Sequence, residues 1–334
     1  MATMKDVAKA AGVSIATVSA TLSGASFVSA DLQARVNAAI ETLRYERNSM
    51  ASGLKRGRSF LIGLIVSDVT NPFFTELVDC VQNQAREQGY SVLLGISGHD
   101  VAREGELLRL MRSHQAAGTI LCPAGEADDY SKGRLQPGRM KLVAIDNAAP
   151  ALPVDTISLD NRKAAEIAVQ HLLSFGHRRI GTVMGFAHQH VANERLIGFR
   201  DALKEQGIEV DEASVGQGNF RIEDAYRACN LLLALAERPT ALFVANNLML
   251  IGVMRALSEA GVSVPADISV ASIDDFPWAS AFQPALTVVR QPIAAMASAA
   301  LSRLVQRLDG EDGEPTHQVF APELVVRQSC SAVS

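Results

Sequence analysis

Thr3-Met4-Lys5-Asp6-Val7-Ala8-Lys9-Ala10-Ala11-Gly12-Val13-Ser14-Ile15-Ala16-Thr17-Val18-Ser19-Ala20-Thr21-Leu22 decides how the whole chain is read. Thr3 and Asp6 form a capping box: the Thr oxygen accepts from the N3 amide while the N3 carboxylate reaches back. Val7, Ala8 and Ala11 follow at helical spacing, and Gly12 stops the helix. Ser14 caps a second short helix, Ile15 to Leu22, with Val18 and Leu22 turned inward. Ser29 begins a third, whose apolar face is Val36, Ile40 and Leu43. Helix, a short turn containing Gly, helix: that order is a helix-turn-helix. Any small helical bundle shares the pattern, and charge separates the two readings. Residues 1–58 carry eight Lys/Arg against four acids, a net +4, whereas the rest of the chain carries 23 basic and 32 acidic residues, a net −9. A cationic head on an anionic body suits attraction to phosphates, with the body held off the DNA.

The chain has 334 residues, 48% apolar and only 20% charged, which suits two or three domains with a large core. No segment approaches the ~20 continuous apolar residues of a membrane helix. The N-terminus is polar, with no secretory apolar region. Cys80, Cys122, Cys229 and Cys330 are scattered, with no CxxC pair and no His at metal-ligand spacing. Idle thiols in a reducing, cytoplasmic setting are expected, with no metal site and no cofactor.

Beyond Ser59 the pattern alternates. Phe60–Val66, Tyr90–Ile96, Thr119–Cys122, Lys141–Ile145, Ile180–Met184, Ala241–Val244 and Ile268–Ile273 read as strands. Helical segments of ten residues or more lie between them, which means βαβ units and parallel sheets. One sheet of so many strands would be unusually wide. Pro150, Pro153 and a loop-like 146–160 stretch mark a break, so two doubly wound lobes are expected.

Lys5-Asp6-Val7-Ala8-Lys9-Ala10-Ala11-Gly12-Val13-Ser14, Ala16-Thr17-Val18-Ser19, and Arg35-Val36 through Ala39-Ile40 to Leu43-Arg44-Tyr45 closely resemble the lactose-repressor/galactose-repressor family of bacterial transcription regulators. The resemblance runs the full length. It implies an α/β protein with an all-α helix-turn-helix head (1–46), a hinge helix or linker (47–59) and a periplasmic-binding-protein-like core (60–334). The chain would cross between the lobes three times, with lobe one at about 60–159 and 292–328 and lobe two at about 160–291. The last helix (Ile293–Leu308) and the strands up to Arg327 would then return to lobe one. A homodimer on a roughly palindromic operator is expected on symmetry grounds. No heptad tail follows the last strand, so a tetramer built on a C-terminal coiled coil is not expected.

In a helix-turn-helix the first residues of the second helix meet the base edges in the major groove. Here these are Ile15 and Ala16, with Ala20 one turn on, where the family commonly has hydrogen-bonding side chains. Apolar groups can touch thymine methyls but cannot make the bidentate contacts worth ~1–3 kcal/mol per base. Thr17, Ser19 and Asn48 can donate to phosphates, and Lys5 and Ser14 complete the DNA-facing set of the head. The family's hinge folds on DNA and drives a Leu from each subunit between base steps of the minor groove. Leu54 matches that position, with Ala51 and Lys55 beside it. Arg47 replaces the usual Pro and Ser52 the usual Arg, and Gly53 weakens an isolated helix by ~1 kcal/mol.

Facing parallel-sheet lobes place strand C-termini around a shared crevice. Sugars need carboxylate, amide and guanidinium groups for hydroxyls and an aromatic face for the ring. Asp146, Asn246 and Asp274 follow three of the strands, and Arg195 lies near the start of a helix. Singly, each has an ordinary structural role, as a turn cap, a turn former or a surface ion pair. The resemblance implies that they hold a small effector, a sugar or sugar derivative. Asn71-Pro72-Phe73-Phe74 and Asp274-Asp275 through Pro284-Ala285-Leu286-Thr287 to Gln291 match further family signatures. Phe73, Phe220 and Trp278 are then the ring-stacking or wall residues, Gln291 joins the effector set, and Phe74 packs in the core. Asn247 stands where the family usually has Asp. Asp160 reads as an N-cap, and His188 and His190 lie toward the cleft side.

Three rival readings remain. A solute-binding protein of a transport system shares the two-lobed body but should carry a signal peptide and no basic helix-turn-helix. An enzyme lacks support: no GxGxxG follows the first strand, Gly216-Gln217-Gly218 lacks a third Gly, and Gly53 to Ser59 is one residue short of a phosphate loop. No catalytic set is assigned. A low-specificity architectural DNA binder is an alternative that the apolar Ile15/Ala16/Ala20 face keeps open.

Overall fold

Thr3 and Asp6 close their box as expected. Thr3 Oγ1 accepts from Asp6 N at 3.4 Å and Asp6 Oδ2 accepts from Thr3 N at 2.8 Å, starting α1 (Met4–Ala11). The computed structural model describes residues 2–22, 28–45, 59–125, 129–130, 140–148 and 152–333. It divides into two units, Met1–Ser59 and Phe60–Ser334.

In the first unit α1 ends at Gly12, whose φ of 64° is the left-handed conformation that favours glycine. Ser14 Oγ accepts from Thr17 N at 3.0 Å and starts α2 (Ile15–Leu22). Ser29 precedes α3 (Ala30–Leu43) in extended conformation but makes no side-chain cap. Val7, Val18 and Val36 are fully buried and, with Ala8, Ala11 and Ala39, form the core. Arg35 Nη2 donates to Ala11 O at 2.7 Å, so this cation braces the turn from α3. Ala20 corrects the expectation: it is buried, at 9% exposure, whereas Ile15 is 41% exposed. A single methyl lies close to the helix axis, where longer neighbouring side chains shield it.

The second unit contains two six-stranded sheets. The first takes β1 (Leu61–Val66), β2 (Ser91–Ile96), β3 (Gly118–Leu121), β4 (Lys141–Ile145), β5 (Asp155–Leu159) and β11 (His317–Phe320), in the order β11-β5-β4-β3-β1-β2. The second takes β6 (Ile180–Met184), β7 (Val215–Gln217), β8 (Ala241–Val244), β9 (Ser269–Ile273), β10 (Thr287–Arg290) and β12 (Glu323–Val325), in the order β12-β10-β9-β8-β6-β7. Position for position the sheets correspond: β4 in one matches β9 in the other, and β3 matches β8. All pairings are parallel except β10 with β12.

Helices α4 (Pro72–Glu87), α5 (Val101–Ser113) and α10 (Ile293–Leu308) pack on the first sheet. α6 (Asn161–Ser174), α7 (His190–Glu205), α8 (Ile222–Leu233) and α9 (Asn247–Glu259) serve the second. These are doubly wound lobes, with the largest buried cluster in lobe two, around Phe199 and Phe243.

Two sequence expectations are corrected here. Asp155–Leu159, read as loop, is a strand inside the sheet, next to its β11 edge. Its polar residues mask it because their partners are remote in sequence: Asp155 accepts from Arg307 Nε at 2.6 Å and Arg303 Nε at 2.9 Å, and Ser158 pairs with His317 at 2.8 Å. Glu323–Val325, expected in lobe one, belongs to lobe two. Val288 registers with Val325 there, so the third crossing falls between β11 and β12. Asp160, as expected, caps α6 by accepting from Lys163 N at 2.9 Å. Among the described residues no helix is long and apolar enough to cross a membrane.

Candidate functional site

The turns that leave β4 and β9 set the site. Asp146 and Asp274 come directly after these strands, each with positive φ (68° and 75°), a conformation that Asp tolerates better than most residues. Each is held by the neighbouring strand: Asp146 N donates to Ile157 O and Asp274 N to Val289 O, both at 2.9 Å. The two carboxylates thereby line one interlobe cleft.

Arg195, on α7, is 3% exposed in the same cleft. Its Nε donates to Asn161 Oδ1 at 2.8 Å and its Nη1 closely to Ala245 O. Burial raises the Asp146 carboxyl to about 6; Arg195 opposes the rise and Asp274 adds to it. Burial also raises Asp274, against Arg195 and the Gln291 amide. Gln291 Nε2 donates to Asp274 Oδ1 at 2.6 Å, while Gln291 Oε1 is buried without a partner. The arrangement is a buried polar cluster that presents mainly acceptors.

Phe73, Asn246 and Phe220 also line the cleft. Asn246 accepts from Met249 N at 2.8 Å and so caps α9. Phe220 adopts φ 53°, and its ring lies over Gly185, where any Cβ would collide with it. Phe74, read as core, is both core and lining. Trp278 is a correction. It is 46% exposed, does not line the cleft, and meets Phe276 edge-on at 5.4 Å. The loop after Asp274 carries its ring outward to that neighbour. His188 and His190 are likewise absent from the lining.

Sequence reasoning missed the residues that join the lobes across the cleft. Asn71 Oδ1 caps α4 through Phe73 N at 2.9 Å and also accepts from Asn247 Nδ2 at 3.0 Å. This explains an amide at 247: a carboxylate there would oppose acceptor to acceptor. Gln189 Nε2 meets His99 Nδ1 at 3.1 Å, and Val191 N donates to Asn147 Oδ1 at 3.3 Å. Within lobe one, Cys122 Sγ donates to Asp146 Oδ2 at 3.4 Å. Of these, Asn71 carried a signal as part of the Asn71-Pro72-Phe73-Phe74 motif, and Asn247 as a departure from the family's usual Asp.

In the first unit Lys5, Ser14, Ile15 and Ala16 are exposed, Thr17 and Ser19 half-buried, and Ala20 buried. Asn48, Ala51, Leu54 and Lys55 lie outside the described residues.

Residues 3–48 match the family model described as bacterial regulatory proteins, lacI family, and residues 169–330 match the periplasmic binding protein-like domain. The HTH-type transcriptional repressor PurR of Photobacterium profundum is 32% identical over 329 residues, 98% of each chain. The PurR of Pectobacterium atrosepticum is 34% identical over 332 residues, 98% of this chain and 97% of that protein. Among solved structures, the lac repressor dimer bound to operator and the anti-inducer ONPF matches with TM-score 0.89 at 27% identity, covering 99% of both chains. The transcriptional regulator CelR–cellobiose complex matches with TM-score 0.74 at 30% identity, covering 98% of this chain and 100% of that one.

Proposed function

Because the chain belongs to the lacI family of bacterial regulatory proteins, we propose that it represses transcription by binding a roughly palindromic operator as a homodimer, under the control of a small sugar-like effector. The head (1–46) reads DNA through Lys5, Ser14, Ile15, Ala16, Thr17 and Ser19. The segment 47–59 serves as the hinge, with Asn48, Ala51, Leu54 and Lys55 toward the duplex. The core (60–334) takes the effector between its lobes, through Phe73, Asp146, Arg195, Phe220, Asn246, Asp274 and Gln291.

One observation carries the effector reading. Asp146 from lobe one, Asp274 from lobe two and the buried Arg195 line one cleft between the lobes. A ligand that bridges these groups favours one lobe orientation. Operator and effector affinities are then coupled, and linkage makes the coupling reciprocal. The exposed Ile15 and Ala16 supply apolar contacts only, so direct readout is weak and deformability of the operator carries more of the choice.

Selection of bound duplexes from a random pool tests the DNA half; near-palindromic winners support the reading, and an unselected pool supports the architectural alternative. Thermal-shift screening tests the effector half. A ligand at 100 times its dissociation constant adds about 2.7 kcal/mol of stability. The shift should vanish in Arg195→Ala, and one that survives assigns the ligand to another site.

A further inference from the structure

The cleft is richer in carboxylates than in cations. Asp68, Asp146 and Asp274 line it, and Arg195 is the sole Lys or Arg among the described lining residues. His99 adds no charge at neutral pH, since burial pushes its imidazole below its ordinary value and Asp68 only partly restores it. Two of the five N–H donors of Arg195 are used within the protein, Nε on Asn161 and Nη1 on Ala245. A ligand anion therefore meets one cation among three carboxylates.

Acceptors remain in quantity. Asp146 takes a bond from the weakly donating thiol of Cys122 alone. Asp68 Oδ1 is used locally, by Thr70 N at 2.8 Å and Thr70 Oγ1 at 2.7 Å. Gln291 Oε1 is buried with no partner. Aromatic faces stand beside these acceptors: the Phe220 ring stacks at 23° on His99, with centroids 6.3 Å apart. Carboxylates beside aromatic faces are the surroundings that an ammonium group finds favourable.

We propose that the effector is an amino-substituted cyclic polyol, an amino sugar by chemical class, and that sugar acids and sugar phosphates are excluded. This rests on the effector reading above. A ligand ammonium offsets the surplus negative charge of the cleft and fills the open acceptors of Asp146 and Gln291. A ligand phosphate adds negative charge beside Asp146 and Asp274, with a single guanidinium to offset it.

The test is calorimetric titration of the full chain at pH 7 with matched probes: glucosamine, glucose and glucose 6-phosphate, and their galacto and manno counterparts. In the series that binds, the amine should bind about tenfold or more tighter than its hydroxyl parent, and the phosphate not at all. Asp146→Asn should erase the amine's advantage, and Asp68→Asn, at a half-buried position, should reduce it without threatening the fold. A phosphate or hydroxyl parent that matches the amine overturns the proposal, as does failure of every amine. Hydroxyl and amine probes that bind equally well, both losing their binding in Arg195→Ala, refute this proposal and leave the cleft reading intact. Binding that survives Arg195→Ala refutes the cleft reading itself.

Discussion

Lobe one and lobe two place the same residue at the same point of the same strand order and then treat it differently. Asp274, at the end of β9, is clamped by the Gln291 side chain and also accepts from the Asn247 backbone. Asp146, at the end of β4, is left with a thiol. Corresponding backbones therefore do not imply equivalent chemistry. Lobe two's carboxylate is part of the scaffold, and lobe one's is kept open at the expense of stability, as functional sites often are.

The harshest way to break this comparison removes what both carboxylates share. Arg195→Ala leaves the buried Asp274 and the half-buried Asp146 without their cation and should cost about 3–5 kcal/mol in urea unfolding. A loss below 1 kcal/mol would mean that the acids are already protonated and indifferent to it. Asp274→Ala and Asp146→Ala then separate the lobes. The first strands the Gln291 amide donor and should cost about 2–3 kcal/mol, and the second about 1 kcal/mol or less. Equal losses would erase the contrast.

Stability against pH sharpens it further. The Asp146 carboxyl is raised from 3.8 to about 6, so the folded protein holds this proton longer than the unfolded chain does. The cost of ionising it is absent below about pH 4, grows as pH rises, and is complete above about pH 6, amounting to about 3 kcal/mol. Asp146→Asn should therefore gain on the parent protein across that interval. Glu104, raised by burial to about 7, titrates in both proteins and cancels from the difference. A difference that is flat in pH would show that Asp146 ionises normally. The mildest test copies lobe two into lobe one. Cys122 and Ala245 follow corresponding strands and bond back to Ile65 and Val183. Cys122→Ala should cost about 1 kcal/mol and push the Asp146 titration upward, a change that an NMR pH series can read.

Much of this was legible in the sequence where the signal is local. The box of Thr3 and Asp6, the stop at Gly12 and the cap at Ser14 need only neighbouring residues, and all three form. The apolar strands were legible for the same reason. The polar strand β5 was not, because Asp155 and Ser158 are satisfied from positions about 150 residues away. The carboxylates and Arg195 could be named as strand-end and helix-start residues. The amide contacts of Asn71 with Asn247 and of Gln189 with His99 depend on which loops face one another, and no spacing records that. Trp278 failed similarly: its residue type suits a ring, but its loop turns it toward Phe276.

The three crossings have a mechanical consequence. They run from β5 to α6, from β10 to α10 and from β11 to β12, and Asp160 N donates to Phe320 O at 2.9 Å, tying the first to the third. Adjacent tethers of this kind work like the leaves of a door. Swinging about their common line is cheap, whereas twisting or sliding would have to stretch at least one of them. Lobe motion is thereby reduced close to a single angle, and a ligand of a few atoms can dictate it by holding one gap.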